Sequence, residues 1–208
     1  PFLRDFRYDR NVKGRVYACA PEVKGRLKGD RTYGQGFYRS DDGGLTWRKV
    51  NEASPGEVCQ IAGDVGLVGY FDNEEVRRST DGGATWTPFH EGLPALDTKM
   101  YKASARGNFL AFGAGPNFYL AGDAAGGIWR RQLGAAEWTC VEIREKKAGV
   151  PEKEPRLQYM TKHPMEALGS LIVDAKNADH WLATDWYEIW ESVDAGATWT
   201  SRIDGIMQ

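Results

Sequence analysis

An octet that occurs three times limits the folds open to this chain. Residues 40–47, 79–86 and 192–199 all have the pattern S-x-D-x-G-x-T-W, and a worn fourth copy at 131–138 keeps only Gly134 and Trp138. A short motif repeated along one chain is typical of repeat architectures, in which each copy belongs to one supersecondary unit. The sequence therefore predicts a fold built from repeated units.

The residue types of the octet predict a tight turn between two strands. Ser and Asp side chains bond to nearby backbone N–H groups, Gly allows a positive φ, and Thr and Trp favour the start of a new strand. We expect a structural role for all of these positions, and we expect the box Asp residues to lie away from a ligand-binding face. The positions are Ser40, Asp42, Gly44, Trp47, Ser79, Asp81, Gly83, Trp86, Ser192, Asp194, Gly196 and Trp199.

The octet resembles the Asp-box of the sialidase and BNR-repeat superfamily. Similar boxes occur in xyloglucan-cleaving glycosidases, in sortilin-type receptors and in a photosystem assembly factor. The succession of residue types at 36–44 and 189–194 is similar to that of the glycosidase blades. The resemblance implies an all-β fold, a β-propeller of four-stranded blades. It implies little about function, because one fold serves many activities.

Four blades fit into the sequence as one propeller-type domain over residues 1–208. Successive box tryptophans are about 40 to 60 residues apart, and propeller blades span about 40 to 50, so the excess predicts loop insertions at 21–36 and 144–168. The predicted blades are approximately 1–52, 53–92, 93–143 and 144–208. The predicted strands are 3–10, 15–21, 36–40 and 46–51; 58–63, 66–72, 75–79 and 85–90; 117–123, 127–131 and 137–143; and 170–174, 180–185, 188–192 and 198–203. For the second strand of blade three, 108–113 is the alternative to the preferred 117–123.

Composition excludes several classes of protein. The net charge of −2 gives no electrostatic basis for binding nucleic acid. No apolar run reaches the roughly 18 residues of a membrane-spanning helix, and no signal peptide is visible, although a chain that begins at Pro1 is expected to be processed or a fragment. Cys19, Cys59 and Cys140 lack ligand spacing, so we expect three buried thiols on strands and no metal or other cofactor.

Three acids share one position in the repeat and are candidates for catalysis. Asp72, Asp123 and Asp185 each end the second strand of a blade, and in a propeller these ends share one face. A pair of carboxylates, one acid and one base or nucleophile, is what glycoside hydrolysis requires. The alternative is that each Asp only caps a turn.

Aromatic and polar residues near these acids are candidates for substrate binding. Trp186, Tyr187 and Glu188 follow Asp185 directly, and aromatic faces suit the C–H face of a sugar ring; Trp186 packed between blades is the alternative. Tyr33, Arg31 and Tyr159 lie in the two insertions and would extend the same surface.

The sequence therefore leaves three functions open. The first is a carbohydrate-active, glycoside-hydrolase-like propeller that acts on or binds an extracellular polysaccharide and is secreted or periplasmic. The alternative is a non-catalytic protein-interaction propeller, and the third is a polysaccharide lyase that uses His163, Lys162 and Tyr159. Because four blades are the lower limit for a propeller, we expect the remaining blades to come from the same polypeptide or from a second copy.

Overall fold

The computed structural model describes residues 3–21, 34–71, 75–94, 109–123, 127–147, 168–185 and 188–202. The chain divides into two compact units, Pro1–Gly107 and Asn108–Gln208. Each unit contains two β-sheets, and in every sheet four consecutive strands lie side by side in sequence order, as in the blades of a propeller.

The first unit contains blades one and two. Blade one has the strands β1 (Asp5–Tyr8), β2 (Val16–Ala20), β3 (Gly36–Ser40) and β4 (Arg48–Asn51). Blade two has β5 (Val58–Gln60), β6 (Leu67–Phe71), β7 (Glu75–Ser79) and β8 (Thr87–Pro88). All pairs within these two sheets are antiparallel. The strands β2 and β6 are buried along their whole length, as expected for apolar runs at the centre of a sheet.

The second unit contains blades three and four. Blade three has β9 (Phe109–Ala114), β10 (Phe118–Asp123), β11 (Ile128–Gln132) and β12 (Thr139–Cys140). Blade four has β14 (Ser170–Val173), β15 (Trp181–Thr184), β16 (Ile189–Ser192) and β17 (Thr198–Ser201). The preferred position of the second strand in blade three, 117–123, is confirmed, because β9 forms the first strand.

Blade four has a fifth strand that the sequence did not predict. β13 (Glu145–Lys147) lies at the outer edge of this sheet and pairs with β17 in parallel, with Lys146 opposite Trp199. The insertion predicted at 144–168 therefore begins with a strand that the sequence did not indicate. The pairing covers the edge of β17, and unpaired sheet edges are sites of unwanted association.

The three octets form the same hydrogen-bonded turn. In each, the buried Ser accepts the amide of the box Gly at 2.8 Å and donates to one oxygen of the Asp at 2.7 to 2.9 Å. The same Asp oxygen accepts the Thr amide at 2.8 to 2.9 Å, and the other oxygen accepts the Thr hydroxyl. The Trp indole N–H then donates to the Gly carbonyl at 2.8 to 3.0 Å, which closes the turn.

The worn fourth copy is held by a different residue. Arg131 stands where the other octets have Ser, and its buried guanidinium donates to the carbonyls of Ala135 at 3.1 Å and Ala136 at 2.7 Å. Gly134 has a φ of +85° and Trp138 is buried. The arginine therefore donates to carbonyls of this turn, whereas Ser and Asp accept amides in the other three.

Two expectations about burial need correction. Strand alternation predicts burial at one shared position of the third strand in each blade, held by Phe37, Val76, Ile128 and Ile189. The first three are fully buried, but Ile189 is only partly buried, because it lies in the last sheet of its unit. Cys19 and Cys59 are buried thiols as expected, whereas Cys140 is exposed on the short edge strand β12.

Candidate functional site

Asp185 caps the turn that follows β15. Its Oδ1 accepts the amide of Glu188 at 2.7 Å, and its Oδ2 accepts the indole N–H of Trp190 at 2.9 Å. Its own amide donates to the Glu188 carbonyl at 3.1 Å. Both carboxylate oxygens therefore help to fix the path of the chain from β15 into β16.

Glu188 is a buried acid with an incomplete set of hydrogen bonds. Only 6% of the residue is exposed, and among the described residues its Oε2 has no hydrogen-bond partner. Burying a polar oxygen without a hydrogen-bond partner is costly, so this atom is a candidate contact for a ligand. Glu188 is one of the predicted binding residues, but its burial was not evident from the residue types around it.

Most of the other predicted site residues lie outside the described residues. These are Asp72, Trp186, Tyr187, Tyr33, Arg31 and Tyr159, and with them Lys162 and His163. Asp123 ends β10, where its backbone pairs with Phe109 after a shift of register at Gly122. The gathering of Asp72, Asp123 and Asp185 on one face remains a prediction.

The first unit contains a charged cluster that the sequence analysis missed. The Arg7 guanidinium on β1 donates to Asp5 Oδ2 at 3.1 Å and to Glu57 Oε1, and Asp5 also accepts the Val58 amide at 3.2 Å. Burial raises the pKa of the Glu57 carboxyl to about 7, against the opposing effect of Arg7. Alternation along β1, which places Asp5 and Arg7 on the same side, was the available signal.

A second charged cluster lies on blade four. The His180 ring contacts Glu191 Oε1 at 2.9 Å and Asp174 Oδ2 at 3.3 Å, and Arg202 donates to the other oxygen of Glu191 at 2.7 Å. The hydrogen bonds to Glu191 and then Asp174 raise the pKa of His180. The cluster ties β16 to the loop before β15, which is a structural role for His180.

The box acids are held ionised by their turns. Hydrogen bonds from the Thr85 hydroxyl and amide lower the pKa of Asp81 to about 2. The equivalent bonds from Thr46 lower the pKa of Asp42, and those from Thr198 lower the pKa of Asp194. Carboxylates in this state accept hydrogen bonds well but do not serve as proton donors near neutral pH.

The described residues offer neither a metal cluster nor a membrane helix. No group of three His, Cys, Asp or Glu side chains among them is arranged to hold a metal ion. In the same part of the chain, no helix is long and apolar enough to cross a bilayer.

Comparison with known proteins supports the repeat and the fold. The BNR/Asp-box repeat profile matches residues 38–49 and 77–88, which contain the first two octets completely. No curated protein matches the sequence. The chain therefore carries BNR/Asp-box repeats.

Several solved structures are similar to the chain at low sequence identity. The GH74 xyloglucanase from Xanthomonas campestris is 15% identical with a TM-score of 0.59, over 90% of this chain and 28% of that one. YCF48 from Cyanidioschyzon merolae is 18% identical with a TM-score of 0.58, over 96% and 55%. An ancestral GH74 enzyme is 14% identical with a TM-score of 0.58, over 95% and 23%.

These similarities establish the fold and not the activity. The chain has a β-propeller fold made of Asp-box blades. It spans between about a quarter and just over half of the length of these similar proteins.

Proposed function

We propose that this chain is a non-catalytic propeller scaffold that binds another macromolecule through the surfaces of its blades. The observation that carries this proposal is the state of Asp185, whose two oxygens accept bonds from the Glu188 amide and the Trp190 indole. A nucleophile or general base needs an oxygen directed at its substrate. The hydrogen bonds of Asp185 instead favour a turn cap.

The other recurring acids of the repeat support the same proposal. Asp42, Asp81 and Asp194 each accept bonds from a Ser, a Thr hydroxyl and a Thr amide. Repetition of an acid is therefore explained in these cases by repetition of a turn. The Asp-box propeller fold is found both in enzymes and in scaffolds, so the arrangement of the acids, and not the fold, has to distinguish the two functions.

The structural role of Asp185 is tested by measuring how its substitution changes the free energy of unfolding. Asn has one side-chain acceptor oxygen where Asp has two, so Asp185→Asn should lose one of the two bonds and lower the free energy of unfolding by about 1–2 kcal/mol. Asp179→Asn is the matched control, because Asp179 is exposed in the same unit. Urea titrations of the three proteins measure the difference. A fully stable Asp185→Asn variant would contradict the role as a cap.

A second candidate is a carbohydrate-active propeller, and the buried Glu188 favours it. A carboxyl that is 6% exposed, with Oε2 unpartnered, has the burial expected of the general acid in glycoside hydrolysis. It directly follows the predicted sugar-binding residues Trp186 and Tyr187. Two of the similar structures are GH74 enzymes, one of them a xyloglucanase. In this case the substrate would be an extracellular polysaccharide and the protein would be exported.

Reducing-end release from xyloglucan and other soluble glucans decides between the candidates. The scaffold proposal predicts no release above a protein-free blank. Release that is abolished in Glu188→Gln, with the fold intact by circular dichroism, would overturn it in favour of the carbohydrate-active candidate.

A further inference from the structure

One side of blade one exposes an aromatic surface, which we call the leading face. It consists of Phe6, Tyr8 and Trp47, each of which is substantially exposed. Phe6 and Trp47 form an edge-to-face pair with ring centroids 5.9 Å apart. Contiguous exposed apolar surface of this kind usually marks an interaction site.

The repeat shows what normally covers this face. In both blade one and blade four the box Ser pairs with the first residue of the second strand, Ser40 with Val16 and Ser192 with Trp181. The remaining pairs then map Phe6, Tyr8 and Trp47 of blade one onto Leu171, Val173 and Trp199 of blade four.

The equivalent positions differ sharply in exposure. Phe6, Tyr8 and Trp47 are 54%, 74% and 39% exposed. Leu171, Val173 and Trp199 are 3%, 8% and 1% exposed. The same surface of the repeat is therefore buried in blade four and open in blade one.

In blade four this surface is covered by the preceding blade. Phe118, Leu120 and Ile128 of blade three share one apolar cluster with Leu171 and Trp199. The first unit repeats the arrangement, since Phe37 of blade one packs against Trp86 of blade two with ring centroids 5.5 Å apart. The natural occupant of a leading face is thus the trailing face of another blade, meaning the side that carries Phe37 in blade one.

Blade four presents such a trailing face with its apolar residues open. Ile172 is 56% exposed, and Leu182 and Ile189 are partly exposed. The register places Leu182 and Ile189 at the positions of Tyr17 and Phe37, which are buried in blade one. One chain therefore carries an open leading face and an open trailing face.

We propose that the leading face of blade one binds the trailing face of blade four in a second copy of this chain. The contact is heterologous, because it joins two different surfaces. If each of two copies binds the other in this way, both faces of both copies are covered. The pair would contain eight blades, which is within the range of about four to eight for propellers. The proposal goes beyond the scaffold function and does not depend on it.

Sedimentation velocity across about 1 to 100 µM tests the contact with the whole chain. The wild type should sediment at twice the chain mass. Tyr8→Glu and Ile172→Glu each place a charge in one of the two faces, and each should weaken self-association by at least about tenfold. Val65→Glu is the matched control, because Val65 is an exposed aliphatic residue outside both faces, and it should remain a dimer.

Mixing the variants provides an independent check. Tyr8→Glu keeps an intact trailing face and Ile172→Glu an intact leading face, so their equimolar mixture should form dimers that neither forms alone. Circular dichroism confirms folding, and Tyr8→Ser and Ile172→Ser replace any variant that unfolds. A wild type that stays monomeric at 100 µM would overturn the proposal and point to a blade of a longer polypeptide as the occupant. A dimer insensitive to both substitutions would also overturn it.

Discussion

The ring of Phe37 in blade one lies directly against the backbone of Gly83 in the Asp-box of blade two. A Cβ atom at Gly83 would lie 2.1 Å from Cε1 of Phe37, far inside contact distance. The box glycine is therefore required by packing between blades as well as by its φ of +91°.

Gly83→Ala should be much more destabilising than Gly44→Ala. Both glycines have a positive φ, +91° and +97°, so in both variants an alanine must adopt a left-handed conformation, which costs about 1–2 kcal/mol of stability. A Cβ at Gly44 meets nothing closer than 3.6 Å, whereas Gly83→Ala adds an overpacking cost of about 1–3 kcal/mol. Urea unfolding of the two variants measures the gap, and equal losses would show that Phe37 does not rest on Gly83.

Ala195→Gly should stabilise the protein. Ala195 has a φ of +57°, at the box position where Gly43 and Gly82 have +78° and +71°. Relief of the left-handed strain should raise the free energy of unfolding by up to about 1 kcal/mol after the entropic cost of glycine. Ala197→Gly in the same turn is the control and should destabilise. A lower melting temperature for Ala195→Gly would contradict the interpretation that the backbone at Ala195 is strained.

Asp81→Ala should lower the free energy of unfolding by about 1–2 kcal/mol, because the Asp81 carboxylate accepts bonds from Ser79 and Thr85. The exposed neighbour Thr80, changed to Ala, is the control. Since the folded pKa of Asp81 is depressed to about 2, this stability should be present above about pH 4 and disappear as the pH falls towards 2. A difference between wild type and variant that persists at pH 2 would rule out the carboxylate as its source.

The parts of the structure that the sequence predicts are those with local causes. The box turns close by bonds between residues at most four positions apart, such as that from the Thr85 amide to Asp81, so residue types suffice to predict them. The strands next to each turn follow from the same repeat. Phe37, Val76 and Ile128 show that the register derived from the octets also predicts buried positions.

The parts that the sequence does not predict depend on distant partners. β13 exists only because Glu145 pairs with Thr198 more than fifty residues later. The exposure of Cys140 follows from its place on a two-residue edge strand. At the candidate site, the position of Asp185 was predictable, but its bond to the Trp190 indole depends on side-chain packing.

Glu57→Gln should flatten the pH dependence of stability. Burial raises the pKa of Glu57 from an ordinary value of 4.5 to about 7. A raised folded pKa means that the contribution of Glu57 is fully present below about pH 4.5 and is lost as the pH rises through about 7. Wild-type stability should therefore fall between pH 5 and pH 8 by more than that of the variant.

Urea titrations at pH 5, 6, 7 and 8 compare the proteins, with Glu137→Gln as the control because Glu137 is exposed. His180 titrates in all three proteins and cancels from the comparison. Parallel pH profiles for wild type and Glu57→Gln would contradict the assignment.

The central claim is that one turn, held by Ser and Asp, is built in all three boxes. Amide hydrogen exchange followed by NMR tests it most directly, because the Thr46, Thr85 and Thr198 amides each donate to a box Asp, and the Gly44, Gly83 and Gly196 amides each donate to a box Ser. We predict that all six amides exchange well below the rates of an unstructured peptide. Exchange at unstructured rates in any one of the three boxes would contradict the claim.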